Sequence, residues 1–291
     1  MLDVYRHYVE ALSSEIALAV RTEWTDPYAD QFRHGAGVPG TMTFLIGDRT
    51  GIQRFADIGA NLGHISAVAG LMGFEVIAVE AMPENHEALE ATLNANRLSS
   101  AKALNAAASD HAGVVHMFGD AAYARVVEGE GVAVPTVVLD DVFDDFSPDI
   151  VKLDIEGHEF AALRGMTRTF ARKRPLIIIE SAPHLQGGEE GARETLAYLE
   201  AQGYDLYLYR TDGTVTPRPS SHPQPVAVVD YLAVPRDWTG PVPEIHRMSE
   251  AEEIEIMLRE PLDSPVHRAW VEGRAIKGGF RDPRLLAALG L

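Results

Sequence analysis

The sequence predicts an α/β fold in which a mainly parallel sheet is covered by helices on both faces. Short apolar runs typical of buried strands alternate with segments of helical periodicity from residue 54 to residue 202, and this alternation is typical of parallel sheets. Two further strands are predicted at 204–209 and 226–234. They are joined by a polar, proline-rich loop without room for a crossover helix, so we expect them to pair antiparallel at one edge.

The first 50 residues are expected to form a helical cap followed by a short hairpin. A near-helical spacing relates four apolar residues, Val4, Tyr8, Leu12 and Ile16. This spacing predicts one amphipathic helix, and the acidic residues within it argue against a signal peptide. Glycines and a proline between positions 35 and 40 then break the chain before a predicted strand at 43–46, with its turn at 48–51.

The central elements follow one another as repeated strand–helix units within a domain expected at 51–235. Strands are predicted at 54–58, 74–79, 103–107, 150–153 and 175–179, and helices at 64–72, 84–96, 158–170 and 190–202. A helical extension is expected at 236–291. Its first helix is indicated by the capping-box spacing of Ser249 and Glu252, followed by three apolar residues on one face, Ile254, Met257 and Leu258.

Composition and charge narrow the function classes. The chain has 25 Lys and Arg residues against 43 Asp and Glu residues, a formal net charge of −18, which disfavours a face that neutralises nucleic-acid phosphates. The absence of cysteine excludes disulfides, thiolate zinc sites and cysteine nucleophiles. Since no apolar stretch is long enough for a membrane span, we expect a cytoplasmic protein without nucleic-acid or membrane partners.

A glycine-containing turn, D-I-G-A-N-L-G at 57–63, follows the first strand of the central domain. Gly59 and Gly63 allow a sharp turn and close approach of a ligand, and Glu80, at the end of the next strand, can accept hydrogen bonds from two ribose hydroxyls. Asn61 replaces the second glycine of the dinucleotide fingerprint, and Asp57 suits a cationic ligand better than pyrophosphate. The pattern favours S-adenosylmethionine, and the alternative is an ordinary strand-to-helix turn.

Further segments complete a resemblance to a known family. They are V-E-A-M-P at 79–83, A-A-A-S-D at 106–110, K-L-D-I-E-G-H-E at 152–159 and I-I-E at 178–180. With the turn at 57–63, they make the chain similar to the FkbM family of S-adenosylmethionine-dependent methyltransferases. The resemblance implies a Rossmann-like, seven-stranded methyltransferase fold whose last strand is antiparallel. It also implies O-methyl transfer to a hydroxyl of a small molecule, such as a sugar or natural product.

The resemblance implies roles for individual residues. Glu80 would hold the ribose, Ser109 and Asp110 would lie near the adenine, and Asp154 would face the transferred methyl group. Four residues of the turn would surround the amino-acid end of the cofactor: Asp57, Gly59, Asn61 and Gly63. The N-terminal segment and the tail lie outside the resemblance, so it does not specify the methyl acceptor.

Side chains at the ends of the fourth and fifth strands are the candidates for chemistry. Asp154, Glu180 and His184 are expected to converge, because neighbouring parallel strands end at the same edge of the sheet. Two carboxylates and a histidine suit magnesium or manganese. Alternatively, His184 accepts the hydroxyl proton with Glu180 orienting it, or it is a solvated loop residue. Glu156 would point away from Asp154 if the strand continued through both.

Weaker features have two interpretations each. His64 either contacts the cofactor carboxylate or packs against its neighbours. Three aromatic residues either wall a substrate pocket or join the core: Trp24, Tyr28 and Phe32. Lys152 is interpreted as a structural residue on the sheet face opposite Asp154. An acidic run at 140–149 lacks the glycine and terminal glutamate of a calcium loop and is interpreted as a solvated loop.

Two rival functions stay open at this point. A nicotinamide oxidoreductase would need a glycine at position 61 and a Tyr-x-x-x-Lys pair, and the chain has neither. A non-catalytic, cofactor-binding member of the fold is the other rival, disfavoured by the intact Asp57, Glu80 and Asp154. The expected partner is a small-molecule hydroxyl acceptor, and a homo-oligomer is an open alternative to a monomer.

Overall fold

The computed structural model describes residues 1–46, 48–119, 124–127, 129–210, 212–222 and 228–247, together with 249, 251, 252, 254, 258, 268, 271 and 283–289. The strands in chain order are β1 (Leu2–Val9), β2 (Ser14–Arg21), β3 (Arg54–Ile58), β4 (Glu75–Glu80), β5 (Lys102–Asn105), β6 (Ala107–Ser109), β7 (Gly113–Phe118), β8 (Arg125–Val127), β9 (Val132–Val138), β10 (Ile150–Leu153), β11 (Leu176–Ser181), β12 (Tyr204–Tyr209), β13 (Val215–Pro217) and β14 (Val229–Pro235). The α-helices are α1 (Pro27–His34), α2 (His64–Leu71), α3 (Pro83–Ala95), α4 (Leu139–Val142), α5 (Glu159–Arg164), α6 (Thr167–Arg172), α7 (Glu189–Ala201) and α8 (Pro283–Leu289).

The central sheet has the strand order β13-β12-β14-β11-β10-β3-β4-β5. Strands β5, β4, β3, β10 and β11 are parallel, while β14 runs antiparallel to both β11 and β12. This arrangement confirms the predicted mainly parallel sheet with an antiparallel last strand. The sheet contains one strand more than the seven expected, because β13 adds to β12 at one edge.

Two apolar cores lie on the two faces of this sheet. Alternate residues of β11 point to opposite sides, so Ile178 joins one core with Val68 of α2 and Ile177 joins the other with Leu163 of α5. All four residues of β10 are buried, as expected for a strand covered on both faces. Each large aliphatic side chain buried in this way contributes about 1.5–3 kcal/mol.

The N-terminal segment is a β-hairpin, so the prediction of an amphipathic helix is wrong. β1 and β2 pair antiparallel from Leu2↔Arg21 to Val9↔Ser14. The continuous apolar run at 16–20 is fully buried within β2, whereas Val4 and Tyr8, which the helix was expected to bury, are 47% and 67% exposed. The outer edge of β2 is bonded by side chains of the α3 region: the amides of Ala17 and Ala19 donate to Asn96 Oδ1 (2.8 Å) and Thr92 Oγ1 (2.9 Å).

Three other predicted elements differ from the structure. The expected strand at 43–46 is part of a 3₁₀ helix at Gly40–Leu45. The single strand predicted at 103–107 is divided at Ala106 into β5 and β6, which belong to different sheets. The helix predicted at 158–170 is interrupted at Gly165, where a Cβ would lie 2.4 Å from the carbonyl oxygen of Ser109. The chain therefore forms α5 and α6 instead of one helix.

A second sheet, with the order β6-β9-β7-β8, lies beside the carboxyl ends of β4 and β5 and was not predicted. β7 pairs antiparallel with both β8 and β9, and the short β6 pairs parallel with β9. Its inner face packs through Ala107, Met117 and Val134 against Met82. The sheet thereby forms one wall beside the strand ends where the candidate site lies.

The tail is described in part. The predicted capping box is confirmed: Ser249 Oγ accepts from the amide of Glu252 (3.3 Å), and Glu252 Oε2 accepts from the amide of Ser249 (2.9 Å). Ile254 is buried, whereas Met257 lies outside the described residues. Among the helices of the described chain, none has the length and apolarity that crossing a bilayer requires. The proposed boundaries at residues 50 and 235 stay a prediction.

Candidate functional site

A cavity of about 260 Å³ opens at the carboxyl ends of β3, β4, β10 and β11. Ligands of open parallel sheets bind at this edge, beside the point where the strand order reverses. Five carboxylates line the cavity: Asp57, Glu80, Asp154, Glu156 and Glu180. Four of them had been singled out in the sequence, and the structure brings those four to one site.

The two glycines of the 57–63 turn mainly allow close contacts within the protein and do not mainly make room for a ligand. Gly59 has φ of +82°, and a Cβ on it would lie 1.7 Å from the carbonyl oxygen of Asp154, so this glycine lets the ends of β3 and β10 meet. Gly63 has φ of +88°, and a Cβ there would lie 2.7 Å from Leu89 Cδ1. Gly59 lines the cavity, but Gly63 is not among the lining residues. A glycine is needed at position 63 because α2 packs closely on α3 there.

Asp57 lies at the base of the cavity and is 1% exposed. Its Oδ2 accepts a hydrogen bond of 2.6 Å from Ser66 Oγ. Burial raises the pKa of Asp57 to about 6, although the Ser66 bond and the charge of Lys152 both lower it. A buried carboxylate with so little compensation favours a cationic ligand group beside it.

Glu80 is oriented by backbone amides at the end of β4. Its Oε2 accepts from the amide of Asn61 and its Oε1 from the amide of Met82, both at 2.8 Å. Burial raises its pKa to about 7 against the opposite effect of these bonds. Asn61 adopts a left-handed conformation (φ 51°), and its buried Oδ1 has no hydrogen-bond partner among the described residues. Glu80 and Asn61 therefore both offer acceptors at the cavity.

The end of the cavity next to the second sheet is apolar. Ala107 and Ala108 line it from β6, Met117 from β7 and Val126 from β8. A slot of this composition suits a flat ring, because it buries the ring faces without leaving polar groups unpaired. Met117 and Val126 were not predicted as site residues, since no motif marks them and their strands were not expected.

Ser109 and Asp110 are close to this end but are not among the lining residues. Ser109 is buried, with its Oγ 3.3 Å from Nε2 of His158. Asp110 contacts Arg164 (3.2 Å) and His111 (2.6 Å). Its pKa is lowered, and the hydrogen bond from His111 is the main cause. The structure thus places His158, which does line the cavity, between Ser109 and the ligand space.

Asp154, Glu156 and Glu180 form what we call the carboxylate cluster. One oxygen of each lies within 4.8 Å of one oxygen of the others. Their convergence depends on the end of β10 at Leu153 and on Glu156, which has φ of +53°. Glu156 thus points to the same side as Asp154, and the expectation that a continuing strand would turn it away was wrong, because residues two apart share a strand face in any case.

Lys152 lies beneath the cluster. Its Nζ donates a 2.7 Å hydrogen bond to Asp154 Oδ2, so the assignment of these side chains to opposite sheet faces was wrong. Residues two apart on a strand share a face. Burial lowers the pKa of Lys152, but the carboxylates of Asp154 and Asp230 outweigh this effect and hold its pKa above the ordinary value.

The two glutamates of the cluster also have raised pKa values, in their case because of burial. Burial, followed by the charge of Asp154, raises the pKa of Glu156 to about 7 and raises the pKa of Glu180 further. Asp230 of β14, the register partner of Glu180, also has a raised pKa because it is buried. The single ammonium of Lys152 therefore faces several carboxylates, and Glu156 and Glu180 retain protons near neutral pH.

His184 does not join this group. Its side chain is exposed and is not among the residues that line the cavity. The expected set of Asp154, Glu180 and His184 is therefore reduced to the two carboxylates, and Glu156 takes the third place. These oxygens suit a hard divalent ion, but the Lys152 ammonium already neutralises Asp154, so the set fits such an ion poorly.

Neighbouring residues hold the loop that carries the cluster. Glu159 is 1% exposed, and its Oε1 accepts from the amides of Ile155 (3.0 Å) and Gly157 (3.1 Å). Its Oε2 accepts a 2.9 Å bond from Gln186 Nε2. Glu159 is therefore a structural residue that fixes the turn between β10 and α5.

The N-terminal segment contributes Tyr28 of α1 to the cavity wall. Burial raises the pKa of Tyr28, and the charges of Asp154 and Asp57 raise it further. His64, by contrast, packs on Phe32 with ring centroids 4.7 Å apart and bonds to the carbonyl oxygen of Gly37 (2.7 Å). Of the two alternatives for each residue, Tyr28 lines the pocket and His64 has the packing role, whereas Trp24 and Phe32 are buried in the core.

Comparison with known proteins places this geometry in context. The methyltransferase FkbM domain matches residues 57–206. The FkbM methyltransferase structure from Methylobacillus flagellatus KT is 19% identical, with a TM-score of 0.45 over 62% of this chain, and the chain spans 43% of that structure's length. The O-methyltransferase from Bacillus cereus, in complex with SAH, is 12% identical with a TM-score of 0.41, and the match covers 74% of this chain and 83% of that one.

No curated protein matches the chain significantly. The FkbM domain match covers slightly more than half of the 291 residues. It begins at Asp57 and includes Glu80 and the whole carboxylate cluster, which are the residues that line the cavity at the strand ends. The chain therefore belongs to the FkbM methyltransferase domain family.

Proposed function

We propose that this protein is an S-adenosylmethionine-dependent O-methyltransferase that methylates a hydroxyl of a small molecule, such as a sugar or natural product. The observation that supports this proposal is the order of acidic groups along one cavity. Asp57 lies at its base, Glu80 beside the apolar slot and the carboxylate cluster at the other strand ends. This order matches a ligand that carries a cationic amino-acid end, a ribose and an aromatic base.

The cofactor would be held by groups of matching chemistry. Asp57 would compensate the ammonium, and Glu80 with Asn61 Oδ1 would accept from hydroxyls of the ribose, because these acceptors face the cavity. The adenine would lie in the slot of Ala107, Ala108, Met117 and Val126, with His158 near its rim. A pyrophosphate would find no cationic side chain here, since no lysine or arginine lines the cavity in the described part of the chain.

Methyl transfer itself is an in-line displacement. The acceptor oxygen attacks the sulfonium methyl carbon, the carbon–sulfur bond breaks, and its electron pair stays on sulfur to give the neutral thioether. The hydroxyl proton must leave as the new carbon–oxygen bond forms, and we assign its acceptance to Glu180 in its ionised form. A carboxylate with a raised pKa is a stronger base than an ordinary one. Asp154, held by Lys152, would orient the acceptor hydroxyl.

This mechanism needs no metal ion. The positive charge that a divalent ion would bring to the cluster is supplied by Lys152, bonded to Asp154. Turnover in the presence and absence of a strong chelator tests this part. Unchanged turnover supports Glu180 as the proton acceptor and Asp154 as the orienting group, and loss of turnover that magnesium or manganese restores would require a metal at the cluster.

Calorimetry on the purified protein tests the proposal as a whole. Titration with S-adenosylmethionine and S-adenosylhomocysteine should release heat at one site, whereas NAD should not bind. Absence of binding by both adenosine ligands would overturn the function and its cofactor. Binding without turnover over a broad panel of hydroxyl acceptors would instead favour a non-catalytic, cofactor-binding member of the family.

A further inference from the structure

The N-terminal hairpin has two edges, and side chains of the α3 region cover the edge of β2. The backbone amide of Ala17 donates to Asn96 Oδ1 (2.8 Å), and its carbonyl oxygen accepts from Asn96 Nδ2 (2.6 Å). The amide of Ala19 is bonded to a side chain of α3. Because these groups point away from β1, the residues opposite them, Arg6 and Val4, form pairs without hydrogen bonds inside the hairpin. Their own N–H and C=O groups therefore point away from β2.

This outward edge of β1 is unpaired in the described part of the chain. Since the direction of the backbone groups alternates along a strand, the outward groups belong to four residues: Leu2, Val4, Arg6 and Tyr8. Within the described ranges, β1 pairs with no strand other than β2, and no backbone or side-chain group bonds to these outward groups. An open strand edge of this kind is a template for pairing with another strand.

β1 also lacks the features that usually block such pairing. It contains neither proline nor lysine, and its register with β2 runs from Leu2 to Val9 without a bulge. Val4 and Tyr8 expose apolar surface beside the edge. The other strands at sheet edges in the described chain, β5, β6, β8 and β13, have three or four residues each, against eight in β1. The edge of β1 is therefore the longest place where a strand can be added.

We propose that β1 pairs antiparallel with β1 of a second copy of this chain, which joins the two hairpins into one sheet and gives a two-fold symmetric dimer. A two-fold axis brings the same surface of both copies together, and it makes two identical strands run antiparallel. Such a dimer does not depend on the proposed reaction.

Charge favours contact at this strand. The chain has a formal net charge of −18, so two copies repel each other over most of their surfaces. β1 carries one acidic and one basic residue, Asp3 and Arg6, and is therefore locally neutral. Contact through β1 avoids the repulsion that other surfaces would produce.

The direction of the backbone groups restricts the register of the two strands. Outward residues must lie opposite outward residues, because these form the pairs with two hydrogen bonds, so the two-fold axis passes beside a single residue. An axis at Asp3 or Arg6 would bring like charges together, which is destabilising. An axis at Val4 would leave Tyr8 without an opposite residue. The axis is therefore assigned to Tyr5.

The side chains that this register brings together are complementary. On one face, Leu2 of one protomer lies opposite Tyr8 of the other, and Val4 lies opposite the aliphatic part of Arg6. On the other face, Asp3 lies opposite a histidine, His7. Each of these pairs forms twice because of the symmetry. About eight residues of each protomer take part, fewer than the roughly 20–30 of a standard interface, so we expect the dimer to dissociate at micromolar concentrations.

Sedimentation velocity on the full-length protein, from about 1 μM to about 200 μM, tests the dimer. The mass should rise with concentration from 31.7 kDa to twice that value. Val4→Lys places a positive charge opposite Arg6 of the other protomer and should raise the dissociation constant at least about tenfold. Val114→Lys, at an exposed apolar position of β7, adds the same charge elsewhere and should leave the dimer unchanged.

Single cysteines test the register. The natural chain has no cysteine, so one introduced thiol reports on its own position alone. Tyr5→Cys would lie opposite itself in a pair without hydrogen bonds, with Cα atoms about 4.5 Å apart, a distance that a disulfide spans. Val4→Cys lies at the same edge but diagonally from its copy, beyond the about 7 Å limit of a disulfide. On mild oxidation, Tyr5→Cys should therefore form covalent dimers at least about tenfold faster than Val4→Cys.

Melting temperatures check that both cysteine variants are folded, and the sedimentation of the wild type needs no substitution at all. A single mass of 31.7 kDa at every concentration would overturn the proposal. A dimer that Val4→Lys leaves intact would assign the contact to another surface and would also overturn it. Equal rates of disulfide formation in the two cysteine variants would contradict the register. Slow hydrogen exchange of the Val4 and Arg6 amides in a purely monomeric sample would show that another segment of the same chain covers the edge, against the proposal.

Discussion

Lys152 donates a 2.7 Å hydrogen bond from its Nζ to Oδ2 of Asp154, and this bond joins the buried strand β10 to the cavity. The lysine side chain is 5% exposed and the aspartate side chain 33% exposed. The two residues are adjacent on one face of the strand, which explains why the family motif places them two positions apart. The pair orients Asp154 and places a positive charge beneath the other carboxylates.

Lys152→Met should therefore destabilise the protein. The substitution keeps most of the unbranched side chain but leaves several carboxylates without their cation. The loss should be about 2–3 kcal/mol, below the 3–5 kcal/mol of a fully buried pair, because water reaches Asp154. Urea unfolding measures it, with Lys102→Met at an exposed position of β5 as the control. Equal unfolding free energies for the two variants would contradict the role given to Lys152.

Asp154→Asn should lower turnover much more than it lowers affinity for the cofactor. The amide keeps the size of the side chain but loses the charge that orients the acceptor hydroxyl, so kcat should fall by about 100-fold or more. The dissociation constant of S-adenosylhomocysteine, measured by calorimetry, should change by less than about threefold. An equal loss in both quantities would place Asp154 at the cofactor instead.

The inner strands of the central sheet could be predicted because each is a short apolar run buried on both faces, as in Ile150–Leu153. The N-terminal hairpin could not, since the spacing of Val4 and Tyr8 fits a helix equally well when their exposure is unknown. Long-range hydrogen bonds favour a strand at β2, because the amides of Ala17 and Ala19 donate to the side chains of Asn96 and Thr92. No local pattern in the sequence shows these bonds.

The site residues also divide into those that a local sequence pattern marks and those whose place depends on the rest of the fold. Asp57 and Glu80 could be identified because a local motif and the end of a buried strand fix them. The place of Glu156 depends on where β10 ends and on its own positive φ, and that of His184 on the direction of a loop. Sequence periodicity reports neither property. Met117 and Val126 reach the cavity through a second sheet whose strands carry no motif.

Asp57→Asn and Glu80→Ala should each weaken cofactor binding. Asp57→Asn removes the charge opposite the cofactor ammonium, and Glu80→Ala removes the acceptors of the ribose hydroxyls. Each should cost about tenfold or more in the affinity for S-adenosylmethionine. Glu84→Ala, at an exposed position of α3, is the control for both. Calorimetric affinities that match this control in both variants would remove the cavity assignment.

The raised pKa of Glu156 predicts how stability depends on pH. In the folded protein its pKa is about 7 instead of 4.5, so the folded state binds the proton more tightly than the unfolded state. The resulting stabilisation is present below about pH 4.5 and is lost as the pH rises towards 7 and above. Glu156→Gln lacks this loss, and its melting temperature should therefore exceed that of the wild type increasingly from pH 5 to pH 8.

The gain at pH 8 should be about 2–4 °C, which corresponds to about 1 kcal/mol for a domain of this size. Differential scanning fluorimetry without ligand measures it. Glu190→Gln, which removes an exposed carboxylate of α7, should track the wild type at every pH. A constant difference between Glu156→Gln and the wild type across this range would show that the raised pKa is absent.

Gly59→Ala should destabilise the protein far more than Gly73→Ala, although both glycines have positive φ values, +82° and +92°. Both substitutions incur the cost of a left-handed conformation, about 1–2 kcal/mol. At Gly73 nothing lies within 4 Å of the added Cβ, whereas at Gly59 it would lie 1.7 Å from the carbonyl oxygen of Asp154. That oxygen belongs to the backbone, so β3 and β10 would have to separate at the cavity.

We expect Gly59→Ala to lose about 3 kcal/mol or more in urea unfolding, a value that marks a severe steric conflict. Any folded fraction should also bind S-adenosylhomocysteine weakly, because the separation moves Asp154 and Asp57 apart. Gly73→Ala should keep its affinity within about twofold of the wild type. If the two variants lost the same stability, the meeting of β3 and β10 at Gly59 would not be what requires a glycine there.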